Sequence, residues 1–217
     1  VSASDPDGDA LTYSITAGNT GAAFAVSPTG EISVSDASAL DFETTPSFTL
    51  TVTVSDGTLS DDAVITINLN DVNEAPTAND ATVSLNENSP NSTAVHTVLA
   101  SDPDGDALSY TITAGNTGTA FAINASGELS VSDATALDFE TTPSFSLTIT
   151  VSDGTLSDDA VITINLNDIN EAPTASDATV AINENSPNGT AVHAVSASDP
   201  DGDGLTYTIT AGNTGTA

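Results

Sequence analysis

Residues 48–56 read FTLTVTVSD, in which Phe48, Leu50, Val52 and Val54 alternate with three threonines. Apolar and β-branched residues at a period of two, ended by Ser-Asp-Gly, read as a half-buried strand. The pattern spreads outward from there. In AVITINLND (residues 63–71), Ile65, Ile67 and Leu69 alternate with Thr66, Asn68 and Asn70, and shorter alternations occupy residues 11–15 (LTYSI) and 31–34 (EISV). No stretch carries a helical period, so the chain reads as all-β.

Self-similarity sets the organisation. The motif DPDGD begins at Asp5, Asp102 and Asp199, and VSDGTLSDDAVITINLND begins at Val54 and Val151, both at a spacing of 97 residues. About four positions in five are identical between residues 1–97 and 98–194. The central copy shows seven strands: DATVSLN, TAVHTVLA, LSYTIT, FAIN, ELSVS, SFSLTITVS and AVITINLN. Seven short strands in a period of this length predict a Greek-key β-sandwich, one per copy, joined end to end. Residues 75–171 form a complete repeat, residues 1–74 a partial repeat lacking its first strand, and residues 172–217 the N-terminal part of a further one, with about three strands. The chain is therefore expected to be a window on a longer series of repeats, or to have its ends completed by neighbouring chains.

The chain holds 31 acidic residues, no Lys or Arg, no Cys and a formal charge of −31. Such a surface repels nucleic acid and anionic lipid. No apolar run is long enough to span a bilayer, which argues against membrane insertion. Without cysteine, neither disulfides nor thiol chemistry contribute. The acids cluster where strands stop: DPDGD after the second strand, LDFE, VSDG, the NEN turn after the first strand, and NDVNEAP or NDINEAP between copies. Strand ends gather at the two poles of a sandwich, so tandem domains bring acidic poles face to face. Two unit charges about 5 Å apart repel by about 3 kcal/mol at an effective dielectric near 20. With no basic side chain to offset this, a hard divalent cation is needed, and oxygen-only ligands at flexible spacing suit Ca²⁺ better than Mg²⁺ or Zn²⁺. An EF-hand is excluded, because its loop requires Gly at position six and Glu at twelve; counted from Asp5, Gly8 is fourth and Thr16 twelfth. DPDGD alone is a polar turn. Together with the other acidic groups at fixed spacing it becomes a calcium site.

These motifs resemble the cadherin repeat. LDFE is similar to the family's L-D-R-E, SASDPDGD to its A-x-D-x-D region, TVTVSDG to its V-x-A-x-D-x-G, NDVNEAP to its D-x-N-D-N-x-P linker, and NEN to its Glu-bearing first turn. The resemblance covers the whole chain. It implies two to three Ca²⁺ ions at each junction between repeats. At the first junction it implies Asp41, Glu43, Asn73, Glu74, Asp102, Asp104 and Asp153 as ligands, with the carbonyls of Val72 and Ala75. At the second it implies Glu87, Asp138, Glu140, Asn170, Glu171, Asp199 and Asp201. Asp5, Asp7 and Asp56 are the matching positions of the first copy. The linker departs from the family pattern in carrying Glu for Asp and in being one residue short before Pro76 and Pro173. Asp106 and Asp203 stand in for a later Asn ligand, and the family's strand-exchanging Trp is absent. Near-identical, Lys-free copies resemble the cadherin-like repeats of long bacterial surface and secreted proteins.

His96 and His193 have no Cys or second His nearby and read as strand residues. No Ser/His/Asp constellation recurs, so no enzymatic activity is expected. Paired carboxylates at every linker are implausible as glycosidase sites. N-x-[ST] acceptors occur at Asn91, Asn124 and Asn188. The expected function is a calcium-rigidified extracellular or cell-surface rod, the extender of a bacterial adhesin or biofilm-matrix protein. Its partners would be other copies of the repeat in cis or in trans, or surface and matrix molecules. A laterally or end-to-end packed filament is the alternative. A carbohydrate-binding module ranks last, because only three Tyr and six Phe are present and nearly all sit at core parity.

Overall fold

The computed structural model describes residues 1–212. The last five residues of the stretch assigned to a third repeat lie outside the described part. Sixteen strands are present among the described residues, with isolated 3-10 turns and no α-helix. They are β1 (Thr12–Ala17), β2 (Phe24–Val26), β3 (Ile32–Val34), β4 (Ser47–Ser55), β5 (Ser60–Asn68), β6 (Thr77–Ala78), β7 (Ala81–Asn86) and β8 (Ala94–Thr97). There follow β9 (Ala100–Ser101), β10 (Ser109–Ala114), β11 (Phe121–Ile123), β12 (Glu128–Val131), β13 (Ser144–Ser152), β14 (Ser157–Asn167), β15 (Thr174–Ala175) and β16 (Ala197–Ser198). The chain divides into two compact units, residues 1–75 with 102–107, and residues 76–101 with 108 onward.

In the second unit, one sheet runs β10-β13-β14-β7 and another β11-β12-β8, with β6 paired to β9. β7 joins β14 in parallel, and the other pairings are antiparallel. Alternation along β13 buries Phe145, Leu147, Ile149 and Val151, and along β14 it buries Ala160, Ile162, Ile164 and Leu166. These side chains meet Phe121, Leu129 and Val131 of the second sheet in one core. That two-layer packing makes the unit a β-sandwich, as its period-two pattern predicts. Phe121 and Phe145 cross it edge to face at 5.1 Å between ring centroids.

The turn between β10 and β11 shows why local sequence specifies this path. The Asn116 side chain donates to the Phe121 carbonyl at 2.9 Å and accepts from the Phe121 N–H at 3.0 Å, closing the corner as a strand partner would. Just before it, Gly115 has φ +79, and a Cβ there would lie 1.8 Å from the Ser146 carbonyl oxygen. Only glycine fits.

The first unit contains a three-stranded sheet β1-β4-β5 and the hairpin β2-β3. Its core is built on Ala23, Phe24, Phe48 and Leu50. Two sequence expectations need adjustment. The strand TAVHTVLA is split into β8 and β9. Residues 172–212 carry two two-residue strands, β15 and β16, rather than three full ones. Residues 178–183 (ATVAIN) repeat the β7 sequence ATVSLN but are unpaired, with Val180 50% and Ile182 52% exposed. β7 is held by its ladder with β14, and the chain holds no third copy of β14. Sequence pattern alone does not make a strand without a neighbour to receive its backbone groups.

Candidate metal centre

Three carboxylate groups converge, each with ligand oxygens within 4.8 Å of one another. In the first unit they are Glu43, Glu74 and Asp104; in the second they are Glu140, Glu171 and Asp201, with Glu87, Glu140 and Asp168 beside them. The first two triads are the same three residues one period apart. Their scaffolding repeats too. The Glu74 N–H donates to Asp104 Oδ2 at 2.9 Å, and the Glu171 N–H to Asp201 Oδ2 at 2.8 Å. The linker asparagines fold back in the same manner, Asn73 Nδ2 onto the Glu74 carbonyl at 3.1 Å and Asn170 Nδ2 onto the Glu171 carbonyl at 2.9 Å.

Glu87 anchors the second unit's cluster. It is the sole buried charged residue among the described ones, 2% exposed. Its Oε2 accepts the Phe139 N–H and its Oε1 the Ile169 N–H, both at 2.7 Å. One carboxylate thus ties the LDFE turn and the exit of β14 to the NEN turn. Asn88 donates to Glu171 Oε1 at 2.6 Å. Asp138 is held by its own turn, its Oδ1 accepting from the Thr141 N–H at 2.8 Å, and Asp41 accepts likewise from the Thr44 N–H at 2.8 Å.

The electrostatics are those of like charges forced together. Desolvation raises the Glu74 carboxyl above the ordinary range, and the charges of Glu43, Asp104 and Asp71 add to it. Asp71 is raised by desolvation and then by Asp104 and Asp106. Its counterpart Asp168 is raised by desolvation, then by Asp201, Glu87 and Asp203. Glu171 is raised by desolvation and, against the lowering bond from Asn88, by Glu87, Asp201 and Glu140. For Glu140 a backbone hydrogen bond lowers the value, but desolvation with Glu87, Asp168 and Asp201 outweighs it. Two carboxylate oxygens, Asp102 Oδ2 and Glu171 Oε2, are shielded from solvent and lack a hydrogen-bond partner. Orphaned acceptors among crowded carboxylates, with no basic residue in the chain, fit a hard cation and little else.

Not every residue expected at a site joins a cluster. Asp153 and Asp56 each cap their own turn, Asp153 Oδ1 accepting the N–H groups of Thr155 and Leu156 and Asp56 Oδ1 those of Thr58 and Leu59. The Leu59 and Thr58 bonds hold the Asp56 carboxyl below its usual range. Asp5 Oδ1 accepts from the N–H groups of Asp7 and Asp9. Asp199 Oδ1 accepts from the Asp203 N–H, and Asp102 Oδ1 from the Asp106 N–H. Asp5 and Asp7 join no triad among the described residues. The Glu that meets Asp104 or Asp201 stands 61 residues upstream, and the chain holds no such residue for Asp7. Asp168 and Asp71 are the additions. Both precede the linker Asn by two residues and stand at the first Asp of the linker stretches NDVNEAP and NDINEAP, outside the ligand set named from the sequence.

A tandem all-β chain with carboxylate clusters where its strands stop falls in the class of acidic β-repeat proteins. The comparisons narrow this to one family. The cadherin domain model matches residues 1–70 and 81–167, and the chain belongs to the cadherin family. Protocadherin Fat 2 of Rattus norvegicus is 36% identical over 231 residues, covering 97% of this chain and 5% of that protein. The chain therefore spans a small part of the curated relatives it matches. Among solved structures, extracellular cadherin domains 3–6 of protocadherin gamma B2 align with a TM-score of 0.60 at 28% identity, covering 88% of this chain and 48% of that one. The protocadherin gammaB7 EC3-6 cis-dimer aligns with a TM-score of 0.58 at 25% identity, covering 91% and 52%. These relatives are cadherins rather than enzymes. No helix of the described residues is long and apolar enough to cross a membrane.

Proposed function

We propose that the chain is a calcium-stiffened stretch of an extracellular cadherin-repeat rod, a spacer that holds another domain away from a surface. The observation that carries this reading is the recurrence of one carboxylate triad, Glu43/Glu74/Asp104 and Glu140/Glu171/Asp201, at a spacing of one repeat. Cadherin repeats in general bind Ca²⁺ at the junctions between repeats. On this reading residues 1–74, 75–171 and 172–217 are successive repeats, and each triad holds calcium where one repeat meets the next. Two to three ions occupy each junction. Glu140 and Glu171 with Asp201 supply one ion's oxygens, and Glu87 with Asp168 and Glu140 a second's. The first junction uses Glu43, Glu74, Asp104 and Asp71. The ion offsets the repulsion that raises these carboxyls, so the repeats hold a fixed geometry only when it is bound.

Near-identical copies suit a spacer, because length is then the property that matters and no copy carries a unique site. The absence of Lys and Arg favours the extender of a bacterial surface adhesin, at the cell surface or secreted. The filament reading draws its support from the cis-dimer of the gammaB7 protocadherin. Isothermal titration with calcium tests the ligand assignment. Four to six ions for two junctions support it, and a chain that takes up no calcium in the millimolar range contradicts it.

A further inference from the structure

We infer that Asn88 is the positioning residue of the second unit's metal centre: it ties one oxygen of Glu171 and leaves the other to the cation. The inference rests on the calcium reading above and says how one ligand of that site is oriented. Glu171 is the linker glutamate of the Glu140/Glu171/Asp201 triad. Its Oε1 accepts from Asn88 Nδ2 at 2.6 Å, while its Oε2 is shielded from solvent and has no hydrogen-bond partner. Its own N–H donates to Asp201 Oδ2 at 2.8 Å. A free glutamate must have its side-chain torsions fixed before it can ligate, and restraint set in advance is entropy that ion binding does not have to supply. The Asn88 bond provides that restraint.

Asn88 can serve as a fixed point because its own backbone is pinned. Its N–H donates to the Leu137 carbonyl at 3.0 Å, and the preceding Glu87 N–H to the Asn167 carbonyl at 3.2 Å. The buried Glu87 carboxylate ties the same turn to Phe139 and Ile169. Asn88 lies in the left-handed region at φ +55, and Asn185 of the later NEN turn at φ +62. Asparagine tolerates that conformation better than most side chains. It also meets the charge requirement. Asp at this position would set another carboxylate beside Glu171, which already faces Glu87, Asp201 and Glu140, and would have no proton to donate when ionised. The amide donates without adding charge, in a chain that has no Lys or Arg to do so.

Calcium titration of the 217-residue chain followed by NMR reads the two repeated triads separately, through the backbone amides of Glu74 and Glu171. Asn88→Gly removes the side chain and takes up a positive φ without strain. It should weaken the binding reported by Glu171 about tenfold, the lower end of what the partner of a metal ligand contributes, since Asn88 is exposed. Binding reported by Glu74 should not change. In a Glu171→Ala background Asn88→Gly should have no further effect, whereas a residue that only supported the fold would weaken binding in both backgrounds. A second readout needs no bound metal. In chelator the Asn88 side-chain amide signal should be displaced by the carboxylate and return to its ordinary position in Glu171→Ala. It should stay displaced when calcium is added to the unsubstituted chain, because the ion takes Oε2. Equal or tighter calcium binding in Asn88→Gly overturns the inference while the calcium reading stands. So does an Asn88 amide signal indifferent to Glu171→Ala, or one that returns to its ordinary position on calcium addition. An unsubstituted chain that takes up no calcium in the millimolar range overturns both.

Discussion

Replacing Glu87 by alanine asks most of the second unit. The carboxylate is buried and is the acceptor for two backbone N–H groups, Phe139 and Ile169, both at 2.7 Å. Hydrogen bonds to a charged acceptor contribute about 1.5–3 kcal/mol each, and an orphaned buried donor costs a comparable amount. Relief of repulsion with Glu140, Asp168 and Glu171 offsets part of the loss in chelator. The expected net destabilisation there is about 3 kcal/mol, and in calcium it should be larger, since a ligand is lost as well. The matched control is Glu184→Ala. Glu184 lies one period later in the same NEN sequence but is exposed, so its loss should change stability by less than about 0.5 kcal/mol. Units of one chain need not unfold together, so a single melting curve is the wrong assay. Native-state hydrogen exchange at the β13 amides reports the second unit alone. Equal protection in the Glu87→Ala and Glu184→Ala variants would refute the reasoning, because it would mean that the two bonds hold nothing.

Leu147→Ala should cost the second unit about 2–5 kcal/mol through a core cavity, whereas Val64→Ala, 65% exposed, should cost little; urea unfolding followed by NMR separates them. Glu140→Ala should weaken calcium binding far more than Asp133→Ala, since Asp133 only caps a 3-10 turn through Thr135; titration calorimetry compares them. The carboxyls of Glu74, Glu140, Glu171, Asp71 and Asp168 are all held above their ordinary values. Raised values mean that the folded, calcium-free chain binds more protons than the unfolded one, so its stability falls as pH rises through them. The chelated protein should melt higher at pH 5 than at pH 7. By the same competition calcium affinity should drop as pH is lowered, with protons released on binding, measured by calorimetry in two buffers of different ionisation heat.

The strands of β4, β5, β13 and β14 are fully legible in the sequence, because their alternation is long and β-branched. Short strands are less so. TAVHTVLA breaks between β8 and β9, and ATVAIN fails to form a strand although ATVSLN does, because pairing with β14 rather than local pattern decides the outcome. Glu43, Glu74, Glu87, Asp104, Glu140, Glu171 and Asp201 are legible as a group through their recurrence. Asp71 and Asp168 stand in the acidic linker stretches the sequence marks, but nothing one-dimensional tells a linker acid that turns toward Asp104 or Asp201 from one that faces solvent. Asp56 and Asp153 have a second task beside the ligand role expected of them, each closing its own turn with Oδ1 through Thr58 and Leu59 or Thr155 and Leu156.

Small-angle scattering of the 217-residue chain with calcium and with chelator tests the central claim most directly. If calcium in the carboxylate triads fixes successive repeats, the calcium-bound chain has one sharply defined maximum dimension, and chelation gives a broadened distribution while the strand signal in circular dichroism persists. Superimposable scattering profiles in the two conditions, at calcium concentrations that saturate binding, would contradict it.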